Sequence, residues 1–188
     1  MSKKEIVRCG WCGMDELYQS YHDKEWGKPV TDDKVLFEFL ILESAQAGLS
    51  WITILRKREG YKKAFSNFDY KKIAKYTEKD VERLLQDPGI IRNRLKINST
   101  INNANAFMEI QKQFGSFYNY LYSFLPENKP IINQLEDLKN APAKTELSDM
   151  IAKDLKKRGI KFFGSTTCYA YMQAIGMVND HLTTCSFR

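Results

Sequence analysis

Val35-Leu-Phe-Glu-Phe-Leu-Ile-Leu-Glu43-Ser-Ala-Gln-Ala47 reads as a helix that is apolar on nearly every side. A helix with no solvated face belongs in the middle of a core, with other elements packed around it. Thr31-Asp32-Asp33 in front supplies side-chain oxygens that can cap its first amides. Gly48 behind it ends the helix. Ser50 can then cap a second helix, from Trp51 to about Phe65.

Further out the chain stays helical. Thr77-Glu-Lys-Asp80 has the form of a capping box and starts a helix that Asp87-Pro88-Gly89 stops. A long helix is expected from Ile90 to about Phe114, ended by Gly115, and Ser116 caps a short aromatic one from Phe117 to Leu125. Residues 126–144 are irregular and rich in Pro, Asn and Lys. Ser148 is expected to cap a helix from Asp149 to Arg158, and Ser165 one from Thr166 to Ile175, with Gly159 and Gly176 as their stops. No sustained strand alternation appears, so the fold is expected to be all-α. The 188 residues are expected to form one domain, with residues 1–8 a loose leader.

Apolar residues make up 43% and charged residues 28%, as in a soluble globular protein with an ample core. No apolar run approaches the ~18 residues of a membrane span, and no signal peptide opens the sequence, so a cytoplasmic location is expected. In that compartment cysteines suggest metal ligands or reactive thiols rather than disulfides. The net charge of +6 permits a polyanion partner without requiring one.

Three motifs carry chemistry. The only two histidines, His22 and His181, stand near opposite ends, and each has a cysteine nearby, Cys9 and Cys185. His181 and Cys185 are four positions apart, which would place them on one face of a helical turn. Imidazole nitrogen and thiolate sulfur suit Zn²⁺, and these four would close a Cys2His2 site joining head to tail. Singly, each reads more readily as a buried thiol or a satisfied histidine. The use of both histidines brings metal level with that alternative. Cys9-Gly-Trp-Cys12 is also a CxxC, but a thioredoxin-like reading needs a βαβ setting that is absent, and Cys12 is a lesser candidate for the metal shell.

Glu43 is the one carboxylate near the end of the apolar helix, and a buried carboxylate must be paired, hydrogen-bonded or protonated. Trp11, Tyr18, Tyr21, Trp26 and Trp51 could surround it as a stacking pocket for a planar cation, although each by itself reads more readily as core. Gly48-Leu49 could offer an apolar wedge to a duplex. The third motif is the glycine-bounded turn between Leu155 and Thr167. Its helix amides, with Lys161 beside them, suit a phosphate.

Arg8-Cys-Gly-Trp11, Tyr21-His-Asp-Lys-Glu-Trp-Gly27, Glu43 with Gln46-Ala-Gly-Leu-Ser-Trp51, Gly89-Ile-Ile-Arg92, Lys157-Arg-Gly159, Phe162-Phe-Gly164 and Val178-Asn-Asp-His181 occur in that order. Together they closely resemble the 3-methyladenine DNA glycosylase I family of the helix-hairpin-helix superfamily, from about Arg8 to Cys185. The resemblance implies two helical lobes around a cleft and a structural zinc on Cys9, His22, His181 and Cys185. A monomer with no membrane role is expected. It implies binding of alkylated double-stranded DNA, hydrolysis of the N-glycosidic bond, and free 3-methyladenine as product. Glu43 and Tyr21 would bind the base edge, Trp51 would stack on it, and Trp11, Tyr18 and Trp26 would line the pocket. Gly48 and Leu49 would enter the duplex, and Gly164, Ser165 and Thr166 with Lys161 would hold its phosphates. Cys12 stands where an apolar residue is expected. Asp180 is the nearest acid beyond the turn, but its neighbour His181 is a metal candidate, so it receives no role.

Overall fold

The computed structural model describes residues 5–188. Its helices are α1 (Glu16–Lys24), α2 (Asp33–Gln46), α3 (Trp51–Ala64), α4 (Tyr70–Ile73), α5 (Glu78–Leu85), α6 (Arg94–Phe114), α7 (Phe117–Tyr122), α8 (Glu146–Lys157) and α9 (Ser165–Ala174). α2 is the pivot. Asp32 accepts from the amides of Lys34 and Val35 at 2.8 and 3.0 Å, which starts the helix. Every residue from Leu36 to Ala45 is buried, because α3, α6, α7 and α9 all pack on it. Each large apolar side chain so covered contributes ~1.5–3 kcal/mol of transfer free energy, which is why a helix without a polar face is stable here.

Several boundaries differ from those expected. α6 begins at Arg94, because Asn93 rather than the Pro-Gly turn supplies the cap oxygen, 3.0 Å from the Lys96 amide. Residues 90–93 run without helix between turn and cap. α8 starts three residues earlier than expected, capped by Thr145, with Ser148 at its third position returning a bond to the Thr145 amide. α9 starts at Ser165 with Gly164 in the cap position. α7 ends at Tyr122 rather than Leu125. The capping box at Thr77 and Asp80 forms as read.

The irregular segment holds a two-residue strand, β1 (Ile131–Ile132), paired in parallel with β2 (Val178–Asn179). Two residues are too few to show alternation in a sequence. The pairing has consequences, because it ties the loop to the run leading into His181. That run is not helical. Cys185 N–H bonds Leu182 O at 2.8 Å in a turn, so His181 and Cys185 converge without the helical spacing expected of them.

Of the leader expected over residues 1–8, positions 1–4 lie outside the described residues. Val7 exchanges bonds with Ser186, and Arg8 pairs with Asp23. α8 and α9 form the helical hairpin. Gly159, at φ +94°, ends α8, with Gly159 N–H bonded to Lys156 O and Ile160 N–H to Leu155 O. Elsewhere the close approach of α3 to the 87–89 turn needs glycine, since a Cβ on Gly60 would sit 2.3 Å from Gly89 O. Among the described residues no helix is long and apolar enough to cross a membrane.

Candidate active site and metal centre

A cavity of about 230 Å³ opens beside the C-terminal half of α2. That is below the ~300–1,000 Å³ of pockets for drug-sized ligands, and suits one small ring system. Its walls include Trp11, Tyr18, Tyr21, Trp26, Glu43 and Trp51. Trp11 meets Tyr18 edge-on at 5.0 Å and Trp26 at 4.9 Å, and Tyr21 lies 5.5 Å from Trp51. α1 carries Tyr18 and Tyr21 three residues apart, one helical turn, and α3 presents Trp51 from its first position.

Glu43 is 4% exposed and reaches the cavity from α2. Its Oε2 has no hydrogen-bond partner, and neither have the indole N–H groups of Trp11 and Trp51. Three of the four such buried side-chain atoms among the described residues therefore belong to residues that line one cavity. A buried polar atom left unpaired costs ~1–3 kcal/mol, so polar partners beside these three atoms would be stabilising. Burial raises the Glu43 carboxyl from its ordinary 4.5 to about 8. Burial, then the neighbouring Glu43, raises the Tyr21 phenol well above its ordinary value, so it remains a protonated donor.

The Glu43 shift carries a stability consequence. The folded state holds its proton up to about pH 8, while the unfolded state releases it near 4.5. Stability from this group is therefore fully present below pH 4.5 and is lost as pH rises toward 8. The loss is on the order of 4 kcal/mol. Urea unfolding of the protein and of Glu43→Gln at pH 5 and pH 8 measures it. The variant is expected to gain on the wild type as pH rises. An equal difference at both pH values would rule out the raised pKa.

Sequence reasoning did not anticipate the rest of the wall. Leu138 and Ala141 come from the irregular segment, with no pattern to announce them. Ala170 and Gln173, one helical turn apart on α9, carried a readable spacing. Asp180 also lines the cavity and is 1% exposed, but Tyr169, Gln173 and Asn133 donate to it at 2.7, 2.8 and 2.7 Å. Its oxygens are thus occupied by neutral donors.

Glu43, Gln46 and Ala170 are shared with a second hollow that also takes in Gly48, Leu49 and Thr166. Leu49, 39% exposed, stands at this mouth. Gly164, Lys161 and Phe162 line a third hollow along the hairpin. Ser165 differs from its neighbours, since its hydroxyl pairs with Ser148 at 2.9 Å, leaving its backbone amide to any ligand.

Behind the cavity lies the Cys-His cluster. The ligand atoms of Cys9, His22, His181 and Cys185 all fall within 4.8 Å of one another, and all four residues are buried, so they can hold a metal ion. Cys185 Sγ is 3.3 Å from His181 Nδ1 and 3.6 Å from His22 Nε2, and Cys9 Sγ is 3.6 Å from His181 Nδ1. The other ring nitrogens are anchored, His22 Nδ1 by Asp23 at 2.8 Å and His181 Nε2 by Trp26 O at 3.0 Å. Such anchoring fixes each ring for ligation. Burial lowers both imidazole pKa values, which favours the neutral ligand form. Cys12 stays outside, donating to Cys9 O. Cluster and cavity share a wall, since Trp26 packs 4.7 Å from His181 and Trp11 5.2 Å from His22.

Solved structures share this architecture. A crystal structure of 3-methyladenine DNA glycosylase I matches with a TM-score of 0.93 at 51% identity, covering 96% of this chain and 98% of that one. A Staphylococcus aureus structure concerned with recognition of 3-methyladenine matches with a TM-score of 0.92 at 37% identity, over 95% of each chain. The fold is that of these DNA glycosylases. The chain belongs to the methyladenine glycosylase family, whose sequence model matches residues 11–188. The DNA-3-methyladenine glycosylase of Haemophilus influenzae is 50% identical over 179 residues, 95% of this chain and 96% of its own. DNA-3-methyladenine glycosylase 1 of Escherichia coli K12 is 51% identical over 180 residues, 96% of each.

Proposed function

We propose that the protein is a DNA repair glycosylase that hydrolyses the N-glycosidic bond of 3-methyladenine in alkylated double-stranded DNA and leaves an abasic site. The observation that carries this reading is the aromatic cavity with Glu43 Oε2, Trp11 Nε1 and Trp51 Nε1 unpartnered at its wall. Methylation at N3 makes the nucleoside purine cationic. A cation favours aromatic faces and favours the ionised form of a nearby acid. Neutral adenine would leave the cost of ionising a buried Glu43 unmet, so charge discriminates between the two. A damaged pair is also cheaper to open.

In this reading Trp51 stacks on the base, Glu43 and Tyr21 take its polar edge, and Trp11, Tyr18 and Trp26 close the cage. The cationic base already leaves readily. It takes the bonding pair and departs neutral, while water adds at the anomeric carbon and loses a proton. Gly48 and Leu49 fill the vacated step of the duplex. Gly164, the Ser165 and Thr166 amides, and Lys161 receive phosphates from a helix-hairpin-helix between two lobes of one domain. The protein acts as a cytoplasmic monomer.

The metal is zinc. Zn–S near 2.3 Å and Zn–N near 2.0–2.1 Å give a tetrahedral S···N edge of about 3.5 Å, and three of the four S···N separations here are 3.3 to 3.6 Å, with all four ligand atoms within 4.8 Å of one another. Four protein ligands leave no position for water, so zinc supplies structure and not reaction chemistry.

Incubation with methylated duplex and no added cofactor tests the activity. Free 3-methyladenine is the expected product, and binding without release would reduce the protein to a damage sensor. Leu49→Gly is expected to weaken affinity for a lesion-bearing duplex roughly ten-fold, as for loss of one buried apolar side chain at an interface. Free-base affinity should stay level. An equal fall in both would remove the wedge.

A further inference from the structure

α6 lines neither the cavity nor the hairpin hollow, yet it holds the backbone of both turns that the proposed reading places against DNA. At its start, Lys96 Nζ donates to Ala45 O at 2.8 Å and Ala47 O at 3.1 Å. These carbonyls lie at the C-terminal end of α2, where the helix dipole favours a cation. α2 has no basic residue in its own last turn, so a residue 51 positions away in sequence supplies the charge. The chain then swings through Gly48, at φ +80°, to Leu49.

Seven residues along α6, Asn103 is fully buried and clamps the hairpin turn from both sides of one residue. Its Nδ2 donates to Lys161 O at 3.0 Å, and Lys161 N–H donates to its Oδ1 at 2.8 Å. Asn102 adds a bond to Gly159 O at 2.6 Å. Seven residues are two helical turns, so Lys96 and Asn103 share a face of α6 about 10 Å apart along its axis. Both reach backbone carbonyls rather than side chains, so what they control is where the two turns lie.

We propose that α6 sets the spacing between the Gly48-Leu49 wedge and the Gly159–Gly164 hairpin turn, with Lys96 and Asn103 as positioning residues for duplex engagement. The inference rests on the wedge and phosphate-holding roles assigned above. Two other roles for Lys96 make different forecasts. A phosphate contact would contribute to the salt dependence of DNA affinity. A merely stabilising contact would act alike in every background and on every ligand.

Lys96→Met, at a half-buried site, retains the stem and removes the ammonium. It is expected to lower affinity for lesion-bearing duplex roughly ten-fold, as for loss of a charge-assisted bond pair. The dissociation constant for free 3-methyladenine should stay within about two-fold. The slope of log affinity against log salt should not change. In a Leu49→Ala background Lys96→Met should have almost no further effect, because Lys96 acts through that turn. Asn103→Ala should produce the same split between duplex and free base, read well below its own melting temperature.

A salt slope reduced by about one would make Lys96 a phosphate contact and overturn the proposal. Parallel losses of duplex and free-base binding, or full additivity with Leu49→Ala, would overturn it as a stabilising contact only. If Leu49→Ala weakens duplex binding and Lys96→Met does not, spacing by α6 fails alone. If Leu49→Ala has no effect, the wedge reading fails and takes this inference with it.

Discussion

Glu43→Gln is expected to lower excision of 3-methyladenine from alkylated duplex by roughly 10²–10³-fold, the usual effect of removing one preorganised electrostatic group from a water-poor site. The substitution keeps size and shape, so the aromatic cage and α2 should remain in place. It removes the one negative charge that the unpartnered Oε2 can offer inside the cavity. The lost interaction is worth most while the purine is still cationic in DNA. Free-base binding should therefore fall less than excision. Single-turnover release of base, with a fluorescence titration of the cavity tryptophans, separates the two effects. Because burial already holds the empty-site carboxyl up to about pH 8, the amide should also fold more stably than the acid above neutrality. A variant both more stable and far less active is the signature of an acid kept in an unfavourable place for function. Excision at the wild-type rate would remove Glu43 from the reaction.

His181→Ala is expected to produce the largest loss of stability, on the order of 5 kcal/mol, beyond the usual range for a point substitution. Its ring is fully buried, and it lies within reach of both Cys9 and Cys185. Removing it leaves two buried thiols and one imidazole facing each other without an ion between them. For a chain of this length that is a fall of roughly 10–20 °C in Tm, and a strong chelator should act in the same direction on the wild type. One metal ion per chain should be found in the wild type and little in the variant. The loss should also reach the cavity, because His181 Nε2 anchors Trp26 O at 3.0 Å and the two rings touch. Free-base affinity should therefore drop with metal content. A metal-free variant with unchanged Tm would show that the four residues are an ordinary buried cluster.

How far the sequence could be read depended on the range of the interactions. α2 was legible because continuous apolarity has one physical solution, the centre of a core, and Asp32 caps it locally. The capping box at Thr77 and Asp80 was legible for the same reason, since both partners lie within four residues. α6 was misplaced by four residues, since its start depends on which nearby oxygen wins the cap. Strands β1 and β2 were invisible, because residues 131–132 meet 178–179 only after the whole chain has folded. The four residues of the Cys-His cluster could be grouped from composition, with two histidines and matching cysteines, although the helical spacing expected of His181 and Cys185 is absent. The cavity's aromatic residues and Glu43 could be listed, but each aromatic by itself read more readily as plain core, and Glu43 as a partly exposed helix-end carboxylate. Only the fold brings them around one space and leaves their polar atoms unpaired. Leu138, Ala141 and the bonds from Lys96 had no local signal at all.

A crystal structure of the protein with 3-methyladenine tests the site most directly. The base is expected in the aromatic cavity, stacked on Trp51, with a polar edge ~2.6–3.2 Å from Glu43 Oε2 and the cage rings in place around it. A base bound elsewhere, or one lodged in the cavity with Glu43 still unpartnered, would contradict the assignment of this acid to recognition of the charged purine.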